Sequence, residues 1–210
     1  MNGAWEKRPG SAPDSAALSL KIPFNEPTVL NRLSQNLEYY LDALPQDRRI
    51  VIVCVGTDRS TGDSLGPLVG TALAREYSTS FDLYGTLEEP VHAMNLGDTL
   101  LKISRSSRQP FVIAVDACLG QVSSVGCIQV GSGPVRPGAG VNKELPPVGD
   151  IHMTGIVNVG GFMEYFVLQN TRLNLVVKMS EIIAQSLLSA VHKTRSNSSS
   201  SSVIPFALPD

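Results

Sequence analysis

The chain has 210 residues, 42% of them hydrophobic, and a formal net charge of −2. That size and apolar content predict one α/β domain with a full core, and the charge balance, with no basic stripe, argues against a nucleic-acid partner. The sequence offers no obvious run of about 20 apolar residues for a membrane span, and its N-terminus lacks a signal-peptide core, so a cytoplasmic protein without a membrane partner is expected.

Residues 1–26 are rich in Pro, Gly, Ser and Ala and read as a flexible lead-in to a domain over 27–195. Leu30, Leu33, Leu37, Tyr40, Leu41 and Leu44 recur at helical spacing, which predicts an amphipathic helix over 28–43, stopped by Pro45. The run IVIVCV predicts a strand over 50–55. A glycine-flanked loop follows, then a helix over 64–77 with Pro67 in its first turn. A short strand over 81–87 precedes a helix ending near Ser106, with Asn95 or Asp98 as its cap. FVIAV predicts a strand over 111–115 and GCIQV another over 126–130. A Gly/Pro-rich loop spans 131–147, a length that often marks function. A short strand at 149–153 and helices at 162–169 and 173–193 complete the pattern, and the serine run in 196–210 reads as a disordered tail. Alternating strands and helices predict an αβα sandwich around a largely parallel sheet.

The strands over 50–55 and 111–115 are apolar throughout, as expected of strands covered on both faces. Each leads toward an aspartate: Asp63 in the loop GTDRSTGDSLGP, and Asp116 in VDACLG. In parallel sheets the carboxyl ends of the strands form the site crevice. Two carboxylates there can share a proton, activate water or hold a metal ion. Asp63 also suits a second role, capping the helix that starts near Ser64, and Asp116 could be a satisfied strand-end residue.

Other readings of the same loop fit less well. A Walker A phosphate loop needs Lys where Asp63 stands, and has one residue fewer between its glycines. Gly62-Asp63-Ser64-Leu65 spells the GDSL esterase motif, with Ser64 as nucleophile. That motif should follow the first strand almost directly, and Asp150 and His152 have the wrong spacing for its partner element. Cys54, Cys118 and Cys127 show no CxxC spacing and read as reduced thiols, with a nucleophilic Cys118 disfavoured. Thr61 and Ser64 suit capping. Arg59 could orient a carboxylate or bind substrate, His92 could line the rim, and His192 near a helix C-terminus reads as a surface residue.

The segments IVCVGTDRSTGDSLGPLVG, GTLEEPVHAMNL, VIAVDACLG, PGAGVNKELPPVGDIHMTGIVNVGGF and EYFVLQNTRL resemble the YyaC family of sporulation proteins. That family is similar to the spore germination protease, in which a comparable loop and a strand ending in Asp-Ala carry two essential aspartates. The resemblance maps them onto Asp63 and Asp116, and places Asn142 and Lys143 in a shared supporting loop. A more distant similarity to the hydrogenase maturation endopeptidases implies a metal site, Zn²⁺ or Ni²⁺, with Asp63, Asp116 and His152 as ligands. The resemblance implies a mixed sheet of five or six strands between helices in a peptidase-like fold. It also implies hydrolysis of a protein or peptide, such as a spore protein, by an aspartate pair with no obligatory cofactor. A non-catalytic sporulation factor on the same fold is the alternative. Oligomeric state is left open.

Overall fold

The strand assignments explain why two apolar runs dominate the sequence. In the computed structural model, which describes residues 19–76, 79–138 and 145–200, six strands form one sheet in the order β1-β5-β6-β4-β2-β3. They are β1 (Leu20–Pro23), β2 (Ile50–Cys54), β3 (Phe81–Tyr84), β4 (Phe111–Gly120), β5 (Cys127–Ser132) and β6 (Ile151–Val159). The parallel core is β3-β2-β4-β6, and β5 and β1 extend it antiparallel. Helices α1 (Val29–Asp42), α2 (Leu65–Ala74), α3 (Leu96–Ser106), α4 (Glu164–Gln169) and α5 (Leu173–Ser200) complete the chain.

Alternation along β2 and β4 sends side chains into two separate cores. Ile50, Ile52, Ile113 and Val115 pack with Leu33, Leu37, Val69, Met179 and Ile183 from α1, α2 and α5. Val51, Val53, Val112 and Ala114 pack with Leu96, Leu100 and Ile103 from α3. The result is the expected three-layer αβα sandwich with a largely parallel, mixed sheet.

Several boundaries differ from the sequence reading. Leu20–Pro23 is an ordered edge strand rather than part of a flexible lead-in, with Ile22 fully buried against Ile128 of β5. Pro23 ends it, as suits an edge. Residues 1–18 lie outside the described residues. Strand β4 runs on to Gly120 because β6 pairs with it along its whole second half, across a register shift at Cys118/Leu119. Asp116 therefore lies within a strand instead of following one. Helix α5 continues through Ser196 to Ser200, past the boundary drawn from the serine run, and 201–210 lie outside the described residues. Within it, Leu173–Ser196 is long and apolar enough to cross a membrane by length and composition, contrary to the sequence reading. Half of its apolar 18-residue window is buried, and Val176, Met179, Ile183, Leu187 and Val191 lie inside the core, as in a central helix of a globular fold.

Candidate active site

The first loop is folded by its glycines and by bonds that close it on itself. Gly56 leaves β2 with φ of 145°, a conformation that side chains resist. A Cβ there would strike the Asp63 carbonyl. The Gly56 N–H donates to Val91 O at 2.8 Å, and the Thr57 N–H donates to Asp63 O at 3.1 Å. Residues Gly62–Ser64 form a turn of 3₁₀ helix that leads into α2. Gly66 in the first turn of α2 lies so close to the Val55 carbonyl that any side chain would collide with it. These close approaches fix Asp63 over the end of β2.

Asp116 reaches the same place from the neighbouring strand. Val115 pairs with Cys54, the last residue of β2, so Asp116 projects one residue beyond its partner. Asp116 is only 6% exposed, and its carboxyl accepts one bond, from the Ala117 N–H at 2.9 Å. Both aspartates line a cleft of about 320 Å³ whose walls include Arg59, Ser60, His92, Arg136 and Tyr165.

The two carboxyls are held differently. Burial pushes the Asp63 carboxyl up, and the nearby His92 opposes this. Burial, followed by the negative charge of Asp63, holds Asp116 well above the usual carboxylate range, with the Ala117 N–H opposing. Both carboxyls are thus pushed toward their neutral forms, and the titration of two interacting groups belongs to the pair. No side-chain capping bond is made at the start of α2 or of the 3₁₀ turn. Asp63 is therefore not spent as a helix cap.

The histidine at the cleft is His92. Its backbone N–H donates to Asn95 Oδ1 at 2.8 Å, and its Nδ1 accepts the Met94 N–H at 3.2 Å. A neutral ring held this way carries its proton on Nε2. Asn95, expected to cap α3, instead ties this turn together, with its Nδ2 donating to Pro90 O.

His152, expected as the third metal ligand, is not brought to the pair. It sits on β6 opposite Gly131 of β5, with Nδ1 2.9 Å from Gly133 O, and its ring occupies the space a Gly131 side chain would need. Among the described residues, no group of three or more His, Cys, Asp and Glu side chains is placed to hold a metal ion. The Zn²⁺ or Ni²⁺ site that the resemblance implies thus does not assemble from its expected ligands. Ser64 is also turned away from chemistry: it is 6% exposed and its hydroxyl donates to Thr61 O at 2.7 Å. Asn142 and Lys143 lie outside the described residues.

All three cysteines are free. Burial raises the Cys118 thiol, and the neighbouring Asp116 adds to this against Thr154 and Lys21, which disfavours a thiolate. Ser60, Arg136 and Tyr165 also line the cleft, though none is a candidate from the sequence: Ser60 adjoins Arg59 in the first loop, Arg136 lies in the long loop over 131–147 and Tyr165 in the EYFVLQNTRL segment, and neither segment's pattern singles out these side chains.

Residues 21–186, which span every cleft residue named above, match the model of the family described as "Protein of unknown function (DUF1256)". The chain belongs to this family. A relative from Bacillus subtilis (strain 168), described as "Uncharacterized protein YyaC", is 64% identical over 138 residues, covering 66% of this chain and 67% of its own. The DUF1256 match begins within β1 and ends within α5, so the edge strand missed in the sequence is part of the family's domain.

Proposed function

We propose that this DUF1256 protein is a peptidase-like hydrolase of sporulation or germination, working in the cytoplasm of a spore-forming cell. The observation that carries this reading is the pair of aspartates, Asp63 and the buried Asp116, that line one cleft with both carboxyls raised. Raised carboxyls in a cleft are a mark of acid–base sites. Asp63, ionised, takes a proton from an attacking water as the water oxygen bonds to the scissile carbonyl carbon. Asp116, protonated, donates to the carbonyl oxygen as negative charge develops there. His92, beside Asp63 in the cleft, favours the charged form of that carboxyl. Collapse of the tetrahedral adduct breaks the C–N bond: the proton on Asp63 passes to the leaving nitrogen, and the proton Asp116 gave returns to it from the adduct hydroxyl as the carbonyl re-forms, which restores the pair.

The test is cleavage of small acid-soluble spore proteins by the purified protein, followed by mass spectrometry. The wild type should cleave, with or without chelator, and Asp63→Asn and Asp116→Asn should not, while remaining folded. Undiminished cleavage by either variant would sink the pair mechanism. Loss of cleavage on adding chelator would return a metal ion to the site.

A second reading draws on the exposed apolar side chains of the segment around α4. Phe162 is 85% exposed, and Met163, Tyr165 and Phe166 are each about half exposed. Such a rim suits a non-catalytic factor that docks a protein. This reading predicts saturable binding of spore proteins without turnover, unaffected by Asp63→Asn. The GDSL alternative fares worse, since the Ser64 hydroxyl is committed to Thr61 O. A phosphonate probe should leave Ser64 unlabelled.

A further inference from the structure

The cleft holds two arginines that its aspartates do not neutralise. Arg59 rises from the loop after β2 and Arg136 from the segment after β5, and both line the cleft. The recorded ion pairs of the described residues engage Arg32, Arg48, Arg49 and Lys193, but neither of these two. Next to Arg59, Ser60 is 9% exposed, and its hydroxyl has no hydrogen-bond partner among the described residues. A buried hydroxyl without a partner is costly unless a ligand supplies one. Much of the remaining lining is apolar, including Met94, Leu119, Val135 and Leu168. The cleft thus offers two guanidinium forks and a hydroxyl beside an apolar wall. That combination calls for a ligand with a planar anion next to an apolar body. The guanidinium fork matches carboxylate and phosphate alike, but a carboxylate monoanion meets about half the repulsion that a phosphate dianion would from a charged Asp63.

We propose that the cleft recognises a polypeptide through a carboxylate adjacent to an apolar side chain, with Arg59 and Arg136 pairing with the carboxylate and Ser60 Oγ bonding the neighbouring peptide group. The polypeptide nature of the ligand rests on the peptidase reading; the carboxylate requirement rests on the arginines and Ser60. The carboxylate can be a chain terminus or an acidic side chain.

Fluorescence polarisation of labelled tetrapeptide pools on the full chain tests this without reading cleavage, so its failure and the failure of the hydrolase reading are separate events. An Asp116→Asn protein is run in parallel to prevent turnover. Three apolar-rich pools are compared: one with a free C-terminal carboxylate, one amidated with an internal Glu, and one amidated and uncharged. One of the two anionic pools should bind about ten-fold or more tightly than the uncharged pool, and which of them does so identifies the source of the carboxylate. Arg59→Gln and Arg136→Gln should each remove most of that preference, and the Lys variants should restore part of it. Ser60→Ala should weaken all binding by a few-fold and leave the preference intact. Equal binding of the three pools, no binding by any, an unchanged preference in the double Gln variant, or stronger competition by inorganic phosphate than by acetate would overturn the proposal.

Discussion

Carboxylates stand at both ends of this sheet, and they live in opposite circumstances. At the end where β2, β3 and β6 begin, Asp82 and Asp150 are answered. Asp82 takes two bonds from the Arg49 guanidinium, and Asp150 Oδ2 accepts the Val112 N–H at 2.7 Å with Arg48 at 3.8 Å. The Asp82 carboxyl is accordingly held below its usual range. At the other end, Asp63 and Asp116 have no cationic side chain bonded to them, and both are raised. Evolution of a stable fold alone would favour the first arrangement at both ends. A buried carboxyl beside a second, half-buried one, with no cation to answer either, costs stability, and such groups concentrate where chemistry or binding needs them. The contrast also separates the residues that build the domain from those that would work in it.

The sharpest break in this comparison is functional. Asp63→Asn and Asp116→Asn should each lower peptide cleavage by about 10²- to 10⁴-fold, the range for loss of a general acid or base. Steady-state cleavage assays check this, with circular dichroism confirming the fold. Asp150→Ala should do the reverse. It orphans the Val112 N–H and leaves Arg48, whose side chain is only 13% exposed, without its carboxylate. A loss of about 2–3 kcal/mol in urea unfolding is expected, with turnover per folded molecule unchanged. Asp150→Ala that unfolds normally but fails to cleave would erase the distinction between the two ends.

This division was only half legible in the sequence. The buried runs of β2 and β4 could be read directly, since strands covered on both faces are apolar at every position. The aspartates beside them followed from the rule that sites gather at strand ends. Strand β1 was not legible, because the four residues of LKIP are too few to show a period. Neither was the choice of histidine. His152 was favoured by an alignment of motifs, but a strand residue's direction depends on register, and β6 turns it toward Gly133. His92 reaches the cleft because a turn closed by Asn95 presents it, an interaction no spacing rule encodes. Arg136 and Tyr165 come from segments distant in sequence, so only the assembled sheet brings them to Asp63.

A smaller effect has the opposite sign to the usual one for active-site change. Because Asp116 is raised in the fold, the folded state binds a proton that the unfolded chain has released once the pH exceeds about 4. Stability therefore falls as pH rises from that point toward the raised folded value, and the penalty is complete above it. Asp116→Asn removes the penalty. At neutral pH the variant should be more stable than the wild type by roughly 1 kcal/mol while lacking activity, and the difference should vanish below the ordinary carboxylate range. Paired thermal melts at pH 3.5 and 7.5 measure it. A variant less stable than wild type at both would mean that Asp116 is held by bonds the unanswered carboxyl does not show.

Asp82 supplies the matching case at the far end, with every sign reversed. Its lowered carboxyl favours the charged state in the fold, so its contribution is present at neutral pH and is lost as pH falls through the lowered value. Its side chain and that of Arg49 are 36% and 37% exposed, so water and salt screen the pair. Asp82→Asn should cost only about 0.5 kcal/mol at neutral pH, less in high salt, and nothing in acid. The pH slopes of Asp82→Asn and Asp116→Asn relative to wild type should therefore run in opposite directions. Slopes of the same sign would mean that one of these carboxyls is not in the state its surroundings dictate, and the raised, buried Asp116 is the one on which the hydrolytic reading depends.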